Sequence, residues 1–190
     1  NTLVDKINVD GVVSYNNIKE KFDKVINVAG PWAHELMKNN SIDSNYELNL
    51  VRGSHIVIDR ELDHGYYLEV PNERRVFFVS PYQGQTLIGT TEVKQSGLGE
   101  INPSKFEIAY LMNAYNYYFI NKITEHDIVY SFSGVRPLVK NSKEMNLTTR
   151  EYIIQKNGNV ISVFGGKWTT SRRLAKKVTK KVEYLNRIDL

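Results

Sequence analysis

The run Ser162-Val163-Phe164 breaks abruptly into Gly165-Gly166-Lys167 and then into Trp168-Thr169-Thr170 at the head of a basic helix. An apolar strand thus stops at paired glycines and turns into a helix. Glycine lets the backbone turn and approach a ligand closely, and the first amides of the helix point outward with no internal partner. Such a turn suits a planar ring or a phosphate, and Lys167 adds a positive charge beside it. The same residues also suit a plain strand-to-helix turn. A triphosphate P-loop is excluded, because GxxxxGK[ST] spacing is absent and Trp168 stands where the magnesium-binding hydroxyl belongs.

A second segment repeats the theme. Asp23 to Gly30, DKVINVAG, reads as a short buried parallel strand ending in small residues, with Pro31 at the first position of a helix in PWAHELMKNN. Gly11 to Tyr15 and Lys19 to Lys24 read as a hairpin entering it. Between Tyr46 and Val93 four strand-like runs, LNLVRGSHIVID, GYYLEV, RRVFFVSP and TLIGTTEV, are separated by turn residues and predict a mainly antiparallel sheet. Asn102-Pro103 opens a helix with Asn102 as its cap and Phe106, Ala109, Leu111, Met112, Tyr115 and Phe119 on its apolar side. Asp127 to Val139 reads as a further strand. Tyr152 to Gln155 and Val160 to Phe164 form a hairpin around Lys156-Asn157-Gly158-Asn159.

The chain has 190 residues, enough for one large domain or two small ones, and no cysteine. A disulfide frame, a thiolate nucleophile and a cysteine zinc site are therefore excluded. There is no apolar run of eighteen residues and no signal core, and the start at Asn1-Thr2 reads as a soluble piece cut from a longer protein. The net charge of +4 is local: Arg172, Arg173, Lys176, Lys177, Lys180, Lys181 and Arg187 face only Glu183 and Asp189 in the last nineteen residues. Basicity confined to one helix argues against general nucleic-acid binding. Leu174, Val178, Val182 and Leu185 recur there at helical spacing, so the helix packs on one side and turns its cations outward. That outer face is either solvated or placed against anionic lipid or an acidic partner.

Three polar residues exceed what a sheet needs. Arg136, between Val135 and Pro137, and Arg150, after Thr148-Thr149, carry rigid forks suited to phosphate or carboxylate, or to a surface ion pair. His55, within Arg52-Gly53-Ser54-His55-Ile56, is either structural or a proton acceptor near neutral pH. His34, His64 and His126 have no comparable setting.

Taken in order, GPW at Gly30 to Trp32, RGSHIVI at Arg52 to Ile58, LIGTTE at Leu87 to Glu92, SFSGVRPL at Ser131 to Leu138, TREY at Thr149 to Tyr152, and SVFGGKWTT followed by RRLA resemble the FAD-dependent glycerol-3-phosphate dehydrogenases. The match in order and spacing runs from about Lys24 to Ala175. The resemblance implies a mixed α/β flavoprotein. A partial Rossmann-like FAD-binding domain, residues 1–40 and 158–190, would be interrupted by a mostly antiparallel β-sheet substrate domain, residues 41–157, lying over the flavin. No GxGxxG fingerprint is present, so the resemblance places the first part of the FAD domain upstream of Asn1.

It further implies oxidation of sn-glycerol 3-phosphate to dihydroxyacetone phosphate, with electrons passed to a membrane quinone. Arg136 and Arg150 would grip the phosphate and His55 would take the hydroxyl proton. Lys167 would stabilise charge on the reduced flavin. Gly30, Pro31, Trp32, Gly165, Gly166, Lys167, Thr169 and Thr170 would contact the cofactor, and no metal is implied. The implied protein is cytoplasmic and peripherally membrane-associated, with a homodimer as a further expectation and no nucleic-acid partner. Departures from the pattern are Val28-Ala29, Tyr82, Glu92, Trp168 and Ser171. The competing expectations are an oxidase passing electrons to oxygen, an amine or amino-acid oxidase, and a non-catalytic module using the basic helix to bind membrane or a partner.

Overall fold

Asn16 and Asn17 tolerate left-handed backbone, with φ of 47° and 63°. They close a tight hairpin between β2 (Val12–Tyr15) and β3 (Ile18–Lys21), with β1 (Lys6–Ile7) antiparallel on the other side of β2. β4 (Val25–Asn27) is shorter than the run Asp23 to Gly30 predicts. The chain leaves it through a 3₁₀ turn at Gly30–Trp32, which holds Pro31, and only then begins α1 (Ala33–Asn39). The long β5 (Leu48–Ile58) leads into β6 (Tyr66–Glu69), β7 (Val76–Tyr82), β8 (Gln85–Gly89) and β9 (Val93–Lys94). Then come α2 (Lys105–Tyr118), β10 (Ile128–Lys140), β11 (Thr148–Thr149), β12 (Tyr152–Asn157) and β13 (Val160–Gly165). A 3₁₀ turn at Trp168–Thr170 opens α3 (Ser171–Ile188). The structure, a computed structural model, describes residues 2–140, 148–149 and 152–188. Among the described residues no helix is long and apolar enough to cross a membrane.

The chain divides into two compact units, Asn1–Leu50 with Arg136–Leu190 and Val51–Val135. These divisions fall inside β5 and β10, not at the turns near residues 40 and 157 where the sequence reading sets its limits. A turn marks where an element ends, whereas an extended strand of eleven or thirteen residues can belong to one unit at one end and to the other beyond it.

In the first unit β13 is the central strand, antiparallel to β12 and parallel to β4, with Val160 beside Val25 and Ser162 beside Asn27. Val160 and Phe164 pack with Ala33, Met37, Ile42 and Val139 in a dry core. The buried Asn27 amide donates to the Ala33 carbonyl at 3.0 Å and to Ser162 Oγ at 3.3 Å, tying the strand to the start of α1.

In the second unit β5, β8, β7 and β6 form successive antiparallel pairs, with β9 on β5. Ile56, Ile58, Ile88, Val79 and Phe77 form a core with Leu111, Ala114 and Tyr115 of α2. The cap of α2 is Ser104, not Asn102. Ser104 Oγ accepts from the Glu107 amide at 3.2 Å, and the Glu107 carboxylate accepts from the Ser104 amide at 3.0 Å, a reciprocal pair that Asn102, outside the first turn, cannot make. Phe106, expected on the apolar side, is 76% exposed, because the buried stripe follows Glu107, Leu111, Ala114 and Tyr115.

Candidate functional site

β4 and β13 are parallel, so their carboxyl ends open on the same side, where sheets of this kind present glycine turns and helix starts to ligands. A cavity of about 670 Å³ lies there, lined by Gly30 from the end of one strand and by Gly165, Gly166 and Lys167 from the end of the other. Ile26, Val28, Val163, Leu174, Ala175 and Val178 supply apolar walls. Gly30 adopts φ 58°, and a Cβ placed on it would meet nothing within 4 Å, so glycine leaves the cavity mouth clear. Gly166 adopts φ 98°, and a Cβ there would press on Leu174 at 3.2 Å. Left-handed backbone thus favours glycine at both positions, and packing against Leu174 adds a second reason at Gly166.

Other predicted contacts are placed differently. Thr169 and Thr170 stand beyond the lining, and the Thr170 amide donates inward to the Lys167 carbonyl at 3.1 Å. The expectation that both threonines offer outward amides therefore fails at Thr170, whose donor is taken up by the 3₁₀ turn. Trp32 lines a second cavity of about 620 Å³ with Ala29 and Leu36, and Pro31 lines neither. Arg136 begins the returning segment of the first unit, immediately before Pro137, which lines the glycine cavity. Arg150 lies outside the described residues. Trp168 lines the glycine cavity while 92% exposed.

His55 belongs to the second unit. It pairs in register with Gly89, which pairs in turn with Phe78. Its ring stacks on Phe132, with centroids 5.0 Å apart and planes inclined by 11°, and Phe132 stacks in turn near Tyr130 at 6.3 Å. The Nδ1 atom is closed off from solvent.

Beside His55 lies a polar hub the sequence reading missed. Glu107 is 1% exposed and accepts from Ser54 Oγ at 2.6 Å, Thr91 Oγ1 at 2.8 Å, Arg52 Nη2 at 2.7 Å and Ser104 Oγ at 2.8 Å. Ser54 Oγ also meets Ser133 Oγ at 2.7 Å, and the Ser54 amide donates to Thr91 Oγ1 at 2.9 Å. Burial alone would raise the carboxyl, but the hydrogen bonds from Ser54, Ser104, Arg52 and Thr91 outweigh it and hold the pKa down to about 2. Polar residues of RGSH and GTTE therefore converge on one helix carboxylate, and Ser133 of SFSG joins through Ser54. The S-x-x-E spacing of Ser104 and Glu107 is the sequence signal that reveals the cap.

The sequence model of the FAD dependent oxidoreductase family matches residues 1–180. The chain is 36% identical over 170 residues to the D-erythritol 1-phosphate dehydrogenase of Brucella abortus (strain 2308), covering 85% of this chain and 34% of that protein. It is 34% identical over 168 residues to the aerobic glycerol-3-phosphate dehydrogenase of Escherichia coli (strain K12), covering 83% and 34%. The crystal structure of the glycerol-3-phosphate dehydrogenase from Bacillus halodurans complexed with FAD superposes with a TM-score of 0.83 at 27% identity, covering 97% of this chain and 39% of that one. The chain thus spans about a third of the length of the curated relatives it matches. The mixed α/β fold, the glycine turn at the ends of parallel strands and the family match over residues 1–180 agree: the chain belongs to the FAD dependent oxidoreductase family.

Proposed function

We propose that this chain is the part of an FAD-dependent dehydrogenase that oxidises a polyol monophosphate, sn-glycerol 3-phosphate first among them, at the carbon bearing a free hydroxyl. The observation that carries the reading is the convergence of Gly30 with Gly165, Gly166 and Lys167 on one cavity. The cofactor fits these residues: left-handed glycines clear the way for a flat ring, apolar walls suit its faces, and the Lys167 cation lines the same space. When bound, FAD supplies the acceptor for the substrate's hydride.

The chain's own residues supply the rest. Arg136 and Arg150 bind the phosphate dianion with fixed charge and paired N–H donors. His55 takes the hydroxyl proton at Nε2, since Nδ1 is shut away from solvent, and a base so placed contributes ~10²- to 10⁴-fold. Lys167 stabilises negative charge that develops beside it during reduction. Gly30, Gly165 and Gly166 would bring backbone close to the ring.

Anaerobic bleaching of the flavin in the intact protein by sn-glycerol 3-phosphate tests this reading, and an unbleached flavin would overturn it. The identity with the erythritol-phosphate enzyme makes erythritol 1-phosphate the comparison substrate. Attachment of the intact protein to an anionic membrane, where a quinone would take the electrons, draws its support from the cations of α3: Arg172, Arg173, Lys176, Lys177, Lys180 and Lys181 are all exposed. Salt-sensitive sedimentation of the intact protein with phosphatidylglycerol vesicles, and not with phosphatidylcholine vesicles, is expected. Stoichiometric peroxide during aerobic turnover would instead identify an oxidase.

A further inference from the structure

The His55 imidazole occupies space that the chain keeps open for it. A Cβ built on Gly89 would lie 2.1 Å from His55 Cδ2 and 2.7 Å from both Cγ and Nε2, so any side chain at position 89 must displace the ring. Left-handed backbone is not the reason for glycine here, since Gly89 is not among the positive-φ residues. Phe132 stacks on the same ring at 5.0 Å with planes nearly parallel. Phe132 is itself 41% exposed, so part of its ring stays open to solvent while one face meets the imidazole.

We propose that Gly89 and Phe132 are positioning residues that form a two-part seat for His55, fixing the plane of its imidazole so that Nε2 is presented to the substrate hydroxyl. The proposal rests on the reading of His55 as the base. Proton transfer needs a heavy-atom separation of about 2.6–3.2 Å, and a displacement of about 1 Å costs on the order of 10²-fold in rate. A ring held by strand pairing alone would still rotate about its side-chain bonds. The slot left by the absent side chain at Gly89 admits the ring in one place, and Phe132 stacked on its face restricts that rotation.

The test uses the intact FAD-loaded protein with ¹³Cε1-histidine, the His55 resonance being identified by its loss in His55→Asn. In the wild type that resonance is expected upfield, shifted by the Phe132 ring. In Gly89→Ala and Phe132→Leu it should move toward the position of a free histidine. Single-turnover bleaching by sn-glycerol 3-phosphate should slow about 10- to 100-fold with KM changed less than about threefold. Phe132→Tyr, which keeps a ring, should restore most of the rate. Gly89→Ala combined with His55→Asn should be no slower than His55→Asn alone, because both act through one imidazole. An unmoved resonance in both single variants, or a moved resonance with unchanged rate, overturns the seat. Bleaching of His55→Asn at the wild-type rate would instead overturn the assignment of the base, while the resonance still judges the seat. Where Gly89→Ala yields no native flavin spectrum, Phe132→Leu decides.

Discussion

A carboxylate shut away from water is stable at Glu107 because Arg52 and three hydroxyls replace its hydration. Glu107→Gln removes the charge but keeps the shape, leaving Arg52 facing a neutral amide. A loss of about 3 kcal/mol is expected, read as a lower urea midpoint at unchanged slope. The depressed pKa also sets a pH dependence. Unfolded, this carboxyl titrates near its ordinary value of about 4.3, and folded at about 2. Its stabilisation is therefore complete above about pH 4.3 and is lost as pH falls toward 2, and Glu107→Gln should flatten that acid limb of the stability curve. At the cavity, Lys167→Ala should lower the flavin midpoint potential by about 30 mV if the charge contributes about 1.4 kcal/mol, as redox titration would measure. Arg136→Ala should raise KM for the phosphate substrate by about 10- to 100-fold while the flavin spectrum stays unchanged. Arg52 and Ser54 stood in plain view within RGSH, but their partner lies more than fifty residues away on a helix, and no local pattern connects them.

Helix α2 and the hairpin of β12 and β13 stand at opposite ends of what a local pattern can specify. The hairpin was legible because Asn157-Gly158-Asn159 is a turn signal between two apolar runs; Gly158 adopts φ 58°, and the pairing of Asn157 with Val160 fixes a two-residue loop. Gly158→Ala should cost more than about 1 kcal/mol, since a Cβ there would lie 2.4 Å from the Val9 carbonyl oxygen; thermal melting measures it. The start of α2 was misread by two residues because Asn and Pro are also good openers, whereas Ser104 wins through its return bond from Glu107. Ser104→Ala removes the cap and one ligand of the buried carboxylate together, so a loss of about 2 kcal/mol is expected, beyond that of a solvent-exposed cap. The aromatic positions of α2 carried no local sign of which would be buried. Phe106 and Tyr115 differ in burial because only Tyr115 falls on the stripe that meets the sheet.

Across the whole molecule, strand-like runs set between turn residues revealed the antiparallel strands, while the two compact units divide inside β5 and β10, where no turn marks the change. The glycine cavity was legible as a motif at its second half and only weakly at Gly30, whose pairing with the later segment depends on β4 lying parallel to β13. That pairing sets the order in which the protein can assemble during synthesis. Asn27 meets Ser162 across 135 residues of chain, so at about 5–20 residues per second the ribosome needs roughly 7–27 s after making β4 before its partner exists. Through that interval Ile26 has no neighbouring strand from β13, and nascent chains halted before Val160 should be digested at the β4 segment by a protease that spares chains extended beyond Gly166. The glycine cavity accordingly cannot close before β13 has been made, and its completion reports that the later strand has found the earlier one.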